Sequence, residues 1–369
     1  MDKTFIWAIV IVIIVVGGYF LIGKKENTPS ETIKIGVILP LTGDFAFVGE
    51  AMKKGVDLAL DDYPNSGIKL IFEDGQLDNN MSINALNKLV NEDNVTVVFN
   101  SVVNTIKTLT PVLKEKKIPG IVIWDSNKTI AGLGDYVFGM GFSTELAGEK
   151  MAEFAYNKLG VRKVSVVSAF NEWSEIISDA FITKFKSLGG TVDIHDKVNI
   201  DEKDVRVNIT KIKQAQSEAI YFPLLSQSLN SLVKQSRDLG YKGYLLSADG
   251  FTDIDISNLG DYAEGIYLTN VWLSDPGFLK KYKNKYGAEA DPISLSFTGM
   301  GYDVVKLVVE ITDYLMDKEI QVNSENIAKN LIGFKIDGIT GVAQFSKNRT
   351  TNKQEDMLII KNGQFELVK

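Results

Sequence analysis

Residues 33–60, IKIGVILPLTGDFAFVGEAMKKGVDLAL, pass from strand to loop to helix, and this unit limits the folds open to the chain. Ile33, Ile35, Val37, Ile38 and Leu39 form a nearly continuous apolar run. Such a run suits a parallel strand buried on both faces. Residues 40–49 then bring in Pro, Thr, Gly and Asp, which mark a loop. From Val48 the period is helical. Val48, Met52, Val56 and Leu60 share one face, and Glu50, Lys53, Lys54, Asp57 and Asp61 the other. Open α/β sheets place their ligands at loops that leave the carboxyl ends of parallel strands, so residues 41–48 are expected to wall a ligand cleft.

The unit recurs. Strands are predicted over 68–72, 95–99 and 119–123, with helices over 82–90, where Ser82 offers a cap, and over 105–116. The pattern restarts with a helix over 147–159, a strand over 163–167 and a helix over 175–188 that Gly189-Gly190 stops. Further strands fall at 219–222, 243–246 and 265–268, with a helix over 229–239. Residues 255–260 have no clear period and read as loop. Residues 276–332 are helical text, with helices at 278–286 and 296–316. The tail alternates at 342–345 and 356–360, and Asn362-Gly363 is a hairpin dipeptide before 364–368. Strands alternating with helices predict an α/β chain with two doubly wound parallel sheets.

Before this domain, residues 5–22 form an uncharged apolar run of 18 residues. A membrane span needs about 17–25 residues, and no A-x-A-like cleavage site follows. The expectation is a single N-terminal transmembrane anchor over 1–23, with a cleaved signal as the alternative, a linker over 24–32 and a ligand-binding domain outside the cytoplasm. Lys24 and Lys25 after the run weigh the other way, for a cytoplasmic domain. Sequons at Asn80, Asn94, Asn127, Asn208 and Asn348 are compatible with export. A net charge of −7 opposes a nucleic-acid partner. The chain has no cysteine and one histidine, His195, in the polar stretch Asp193–Lys197. Disulfides, thiolate metal sites and a cysteine nucleophile are therefore excluded, and no cofactor or metal is expected.

Read in order, several segments resemble one family: 35–60, FED at 72–74, NSVVNTIKTLTPVLKEKKIP at 100–119, YFPLLSQSLNSLVKQSRDLGYKGYLLSADG at 221–250, AEGIYL at 263–268 and ITGVAQF at 339–345. Their order and spacing are similar to the branched-chain-amino-acid-binding subfamily of type I periplasmic binding proteins, the solute receptors of ABC importers. The resemblance spans about residues 33–369. It implies two lobes, 33–142 with 273–334 and 143–272 with 335–369, joined by a three-stranded hinge. The crossings are expected near Phe142-Ser143, near 270–272 and near 334–338. A small solute, an amino acid of branched-chain type, would sit between the lobes and be delivered to an importer's permease.

An amino acid needs donors for its carboxylate and an acceptor for its ammonium. Helix N-termini supply the first. Ser101, Asn104 and Thr105 lie at such a terminus, and the family's serine ligand of the carboxylate falls on or beside Thr105. Asn104 or Thr105 serving only as a helix cap is the competing role. Ser126 and Asn127 leave the next strand, either as ligand contacts or as a plain turn. A glycan on Asn127 would compete with a site role. Asp249 in SADG matches the family's partner of the ligand ammonium, against a surface turn. Trp173 stands where the family commonly has Tyr, against half-buried packing. Phe45 and Phe47, and the segment Pro223, Leu224, Leu225 and Ser226, depart from the family pattern and suggest rearranged apolar parts of the site. Phe47 and Ser226 are included among the candidate ligand residues. A short amide, urea or an aromatic carboxylate is the alternative ligand.

Two other classes compete. An enzyme on this fold would need a reactive constellation. No dinucleotide loop, P-loop, nucleophile elbow or histidine cluster occurs. Glu73-Asp74 is a pair of acids at a strand end. A stand-alone sensory ectodomain would usually carry a signalling module, and none follows the sheets. The expectation is a binding protein, not an enzyme.

Overall fold

The computed structural model describes residues 32–64, 66–287 and 291–368. The expected anchor over residues 1–23 lies outside the described residues. Among the described residues, no helix is long and apolar enough to cross a membrane.

β1 (Ile33–Leu39) leads into α1 (Ala46–Asp62), β2 (Ile68–Asp74), α2 (Asn79–Asn91), β3 (Val97–Asn100), α3 (Val103–Lys116) and β4 (Gly120–Val122). The short β5 (Asp125–Ser126) and then β6 (Val137–Gly139) follow. Strands β2-β1-β3-β4-β6 make one wholly parallel sheet. Its strands other than the edge strand β2 are buried because helices cover both faces, which is why they read as continuous apolar runs.

β7 (Phe142–Ser143) leaves this sheet and pairs with β5. Ser143 then caps α4 (Thr144–Asn157), its Oγ accepting the Leu146 N–H. The second sheet is built from β8 (Lys163–Ala169), α5 (Glu172–Ser187), β9 (Thr191–Val198), α6 (Arg206–Gln214), β10 (Ala219–Tyr221), α7 (Ser226–Asp238), β11 (Tyr244–Ser247), α8 (Asp253–Leu259) and β12 (Tyr267–Asn270). The chain next returns to the first sheet with α9 (Pro276–Tyr286), α10 (Pro292–Asp317), α11 (Ser324–Leu331) and the hairpin β13 (Lys335–Gly338) with β14 (Gly341–Gln344). β15 (Asp356–Lys361) and β16 (Gln364–Leu367) finish the second sheet, in the order β16-β15-β12-β11-β10-β8-β9. β15 and β16 are antiparallel to their neighbours, and the other pairings of this sheet are parallel.

α10 anchors the first lobe. Its apolar residues run nearly all round, so it is buried along most of its length. It lies backbone-to-backbone against α1. A Cβ on Gly55 would stand 1.8 Å from the Thr298 carbonyl oxygen, and one on Gly301 2.0 Å from that of Met52. Only glycine permits this approach.

The structure corrects several expectations. α2 is capped by Asp78, which accepts the Met81 N–H, and Ser82 is buried inside the helix. α3 begins at Val103, so neither Asn104 nor Thr105 is its cap. Residues 253–259 are helix α8, closed by a capping box between Thr252 and Asp255. The third passage between the lobes is not near 334–338. Hairpin β13–β14 packs on α10, Phe345 lies edge-on to Phe138 at 5.9 Å, and only residues 346–355 lead to the second sheet. This passage runs beside the first one, with Ser143 N–H donating to the Lys353 carbonyl at 3.0 Å.

Candidate functional site

The exits of the parallel strands from both sheets face one another across a cavity of about 180 Å³. The first lobe contributes Phe45 and Phe47 after β1, Val103 and Asn104 after β3, and Trp124, Asp125 and Asn127 after β4. The second contributes Glu172 and Trp173 after β8, Leu225 after β10, and Asp249 and Gly250 after β11. Phe142 and Glu355 enter from the interlobe passages. The first turns of α10 add Ile293, Phe297 and Met300, a helical i, i+4, i+7 set.

The aromatic wall is interlocked. Trp124 and Phe297 meet edge-on with centroids 4.8 Å apart, Phe45 packs on Trp124 at 6.4 Å, and Phe47 on Phe297 at 6.3 Å. The segment carrying Phe45, at the cap of α1, and Phe47, in its first turn, is tied at its start. The Asp74 carboxylate, the last residue of FED, accepts from the Leu41 N–H at 2.9 Å and from the Thr42 hydroxyl. Burial would raise the Asp74 carboxyl, but the bonds from Thr42, Leu41 and Gln76 outweigh it and hold it below the ordinary range.

Of the nine candidate residues, Phe47, Asn104, Asn127, Trp173 and Asp249 line the cavity. Ser101, Thr105, Ser126 and Ser226 are absent from its lining. Ser101 Oγ donates to the Ile38 carbonyl at 3.1 Å. Thr105 is buried and its hydroxyl is spent between Asn100 Nδ2 at 2.7 Å and the Val102 carbonyl at 3.2 Å. Ser126 is buried and faces a separate polar cavity near the hinge. Ser226 is the first residue of α7, in the left-handed region at φ 47. Asn127 is only 5% exposed and its side chain accepts the Thr129 N–H, so no glycan fits there in the folded chain.

Sequence reasoning missed Trp124, Asp125, Phe297, Glu172 and Glu355. Trp124 and Asp125 leave β4 at its carboxyl end, which was the available signal. Phe297 looked like core on a helix far along the chain, and Glu355 sits in a passage placed elsewhere by expectation.

Among the described residues, four carboxyls line the cavity, and no Lys, Arg or His does. Burial pushes Asp125 up to about 6, against the pull of the Val103 N–H. Burial, then the charge of Asp125, pushes Asp249 up to about 7. Burial, then Asp249, lifts Glu355 well above the ordinary range. Trp173 lies close enough to Asp249 to favour its charged form. Glu172 is at the mouth. It pairs with Lys107 of α3 and accepts from Thr129 Oγ1 at 3.2 Å, so one second-lobe side chain holds two first-lobe residues. The lobes are closed over the cavity.

Comparisons with known proteins agree with this architecture. A family model described as periplasmic binding protein matches residues 32–361. The Leu/Ile/Val-binding protein homolog 6 of Brucella suis is 25% identical over 339 residues, 88% of this chain and 86% of that one. The crystal structure of a leucine binding protein LivK from Thermotoga maritima superposes with a TM-score of 0.80 at 25% identity, covering 91% of this chain and 98% of the other. A solute binding protein of an ABC transporter from Rhodopseudomonas palustris, in complex with 3,4-dihydroxybenzoic acid, has the same fold, with a TM-score of 0.78 at 19% identity over 92% and 96% of the two chains. The chain belongs to the periplasmic binding protein family, whose branched-chain-amino-acid receptors it resembles.

Proposed function

We propose that the chain is an extracytoplasmic receptor of an ABC importer. It closes two lobes around one small organic solute with an apolar body and a positively charged nitrogen, and presents the closed form to a permease. The observation that carries this reading is the cavity itself, walled by aromatics of one lobe and closed by Trp173 and Asp249 of the other. A ligand that touches both lobes favours closure by its differential affinity for the closed state. The amino-acid expectation shares the apolar body and the ammonium, which Asp249 would receive. The aromatic-carboxylate alternative draws support from the dihydroxybenzoate-bound relative, but a carboxylate in this cleft would face four carboxyls and no cationic side chain.

Binding rather than catalysis is the proposed role. The cavity hydroxyls already have partners: Ser296 Oγ donates to the Ile293 carbonyl at 2.7 Å and Thr252 Oγ1 to Asp255 at 2.7 Å. The Thr252 bond belongs to the capping box of α8 and Ser296 is bound to a backbone carbonyl, so both hydroxyls serve helix ends rather than standing ready as nucleophiles. A thermal-shift panel of amino acids, organic amines, amides, urea and benzoates on the full chain tests the receptor reading, because a ligand that binds only the folded state raises its apparent stability. At least one class should raise the transition, and a flat response across the panel would sink the reading.

A further inference from the structure

Resting on the receptor reading above, we propose that the cleft takes an organic cation without a carboxylate, an amine or quaternary ammonium on an apolar body, because Asp125 of the chain itself stands where a ligand carboxylate would be received.

The N-terminus of α3 has the N–H groups and the dipole that receive an anion. Val102 before it supplies no side-chain cap. The Val103 N–H donates instead to Asp125 Oδ1 at 2.8 Å. Asp125 is fixed by backbone, through the parallel pairing of β5 with β7, and it lines the cavity. The neighbouring Asn100 amide is spent on the Val102 carbonyl and the Thr105 hydroxyl. A ligand carboxylate directed here would therefore meet a second carboxylate.

The cations around the cavity are engaged. Lys107 pairs with Glu172, and Lys150 donates to the Glu355 backbone carbonyl. Lys353, whose Nζ lies 5.5 Å from the Phe142 ring centroid, is held by Asp303 at 3.4 Å. None of the three lines the cavity. Glu355 does, is 4% exposed, and its Oε2 has no hydrogen-bond partner; Asp249 Oδ1 has none either. These buried acceptors need a donor or a positive charge. An ammonium supplies up to about three donors. Trp124 and Trp173 also line the cavity, and an aromatic ring there can attract a cation, which extends the fit to quaternary ammonium. Among the described residues, no group of three or more His or acidic side chains is placed to hold a metal ion, so the charge is expected on an organic body. A dry cavity of about 150 Å³ accommodates benzene. One of about 180 Å³ suits an amine of slightly larger body.

Calorimetric titration of the full chain with matched pairs isolates the carboxylate: isoamylamine against leucine, and phenethylamine against phenylalanine. Each amine should bind more than about a hundredfold tighter than its amino acid, since like charges brought together in a cleft are strongly disfavoured. Benzyltrimethylammonium should bind and benzoate should not. Asp125→Ala frees the α3 terminus and should narrow the amine preference at least about tenfold. Asp125→Asn keeps an acceptor for Val103 without the charge and should narrow it in the same direction if the alanine chain does not fold. Leucine or phenylalanine binding as tightly as its amine, or benzoate binding in place of amines, would overturn the proposal and leave the receptor reading standing. Failure of amines, amino acids, amides and benzoate alike would overturn both.

Discussion

Asp249 shows how a turn residue becomes a ligand group. It follows β11 in SADG, where its side chain is aimed across the cleft, and burial with the nearby charge of Asp125 pushes it up to about 7. A carboxyl of this kind holds its proton below 7 and must release it to pair with an ammonium. Affinity for an amine should therefore rise as pH is raised through 7, with proton release on binding, and the slope should flatten in Asp249→Asn. A pH series of calorimetric titrations reads both, and affinity that falls with rising pH would contradict the assignment. Without ligand the sign reverses. The unfolded carboxyl ionises near the ordinary value of 3.8 while the folded one keeps its proton to about 7, so Asp249 makes stability fall as pH rises between those values. Asp249 and Trp173 were legible because each stands at a strand exit in a recognisable segment. The start of the Thr105 helix was misplaced by two residues. The helix starts at Val103, which turns the hydroxyl inward to Asn100.

At the scale of elements, the strand–helix alternation was readable wherever a strand was buried on both faces. β9 was missed because it is an edge strand, TVDIHDKV, with polar residues through its length and His195 exposed. α6 and α8 were missed because they are short, and their start signals sit inside polar text. The tightest contact between elements is α1 on α10. Gly55→Ala should force these backbones apart and cost about 1–3 kcal/mol or more, since overpacking a close contact strains both partners. Urea unfolding measures it, and an unchanged midpoint would mean that the helices relax freely. The segment over residues 41–48, whose last three residues begin α1, depends on Asp74. Asp74→Ala should weaken ligand binding while leaving the sheet intact, because it releases Leu41 and Thr42 rather than any core residue.

For the whole molecule, two sheets were legible from the repetition of the unit, whereas the three passages were implied only by the resemblance, and the third lies elsewhere than it implied. Its hairpin carries strand alternation like the tail after it, and only packing on α10 assigns it to the first lobe. The hinge side is held by Asp303, which is fully buried and accepts from the Ile339 and Thr340 N–H groups and from Lys353. Removing one partner leaves an uncompensated buried charge. Asp303→Ala should lower stability by about 3–5 kcal/mol in urea unfolding. The mouth is different. Lys107 and Glu172 are each about a third exposed, so their pair is worth at most about 1 kcal/mol, and Lys107→Ala should loosen ligand binding by no more than about fivefold.

The central claim is that one solute is gripped by both lobes at once. Calorimetric titration of isoamylamine into the full chain, into Phe45→Ala from the first lobe and into Asp249→Asn from the second, tests it most directly. Both variants should fold, and each should lose at least about tenfold in affinity, as removal of a ligand contact worth some 1.4 kcal/mol requires. Affinity untouched in either folded variant would show that the ligand does not bridge the cleft.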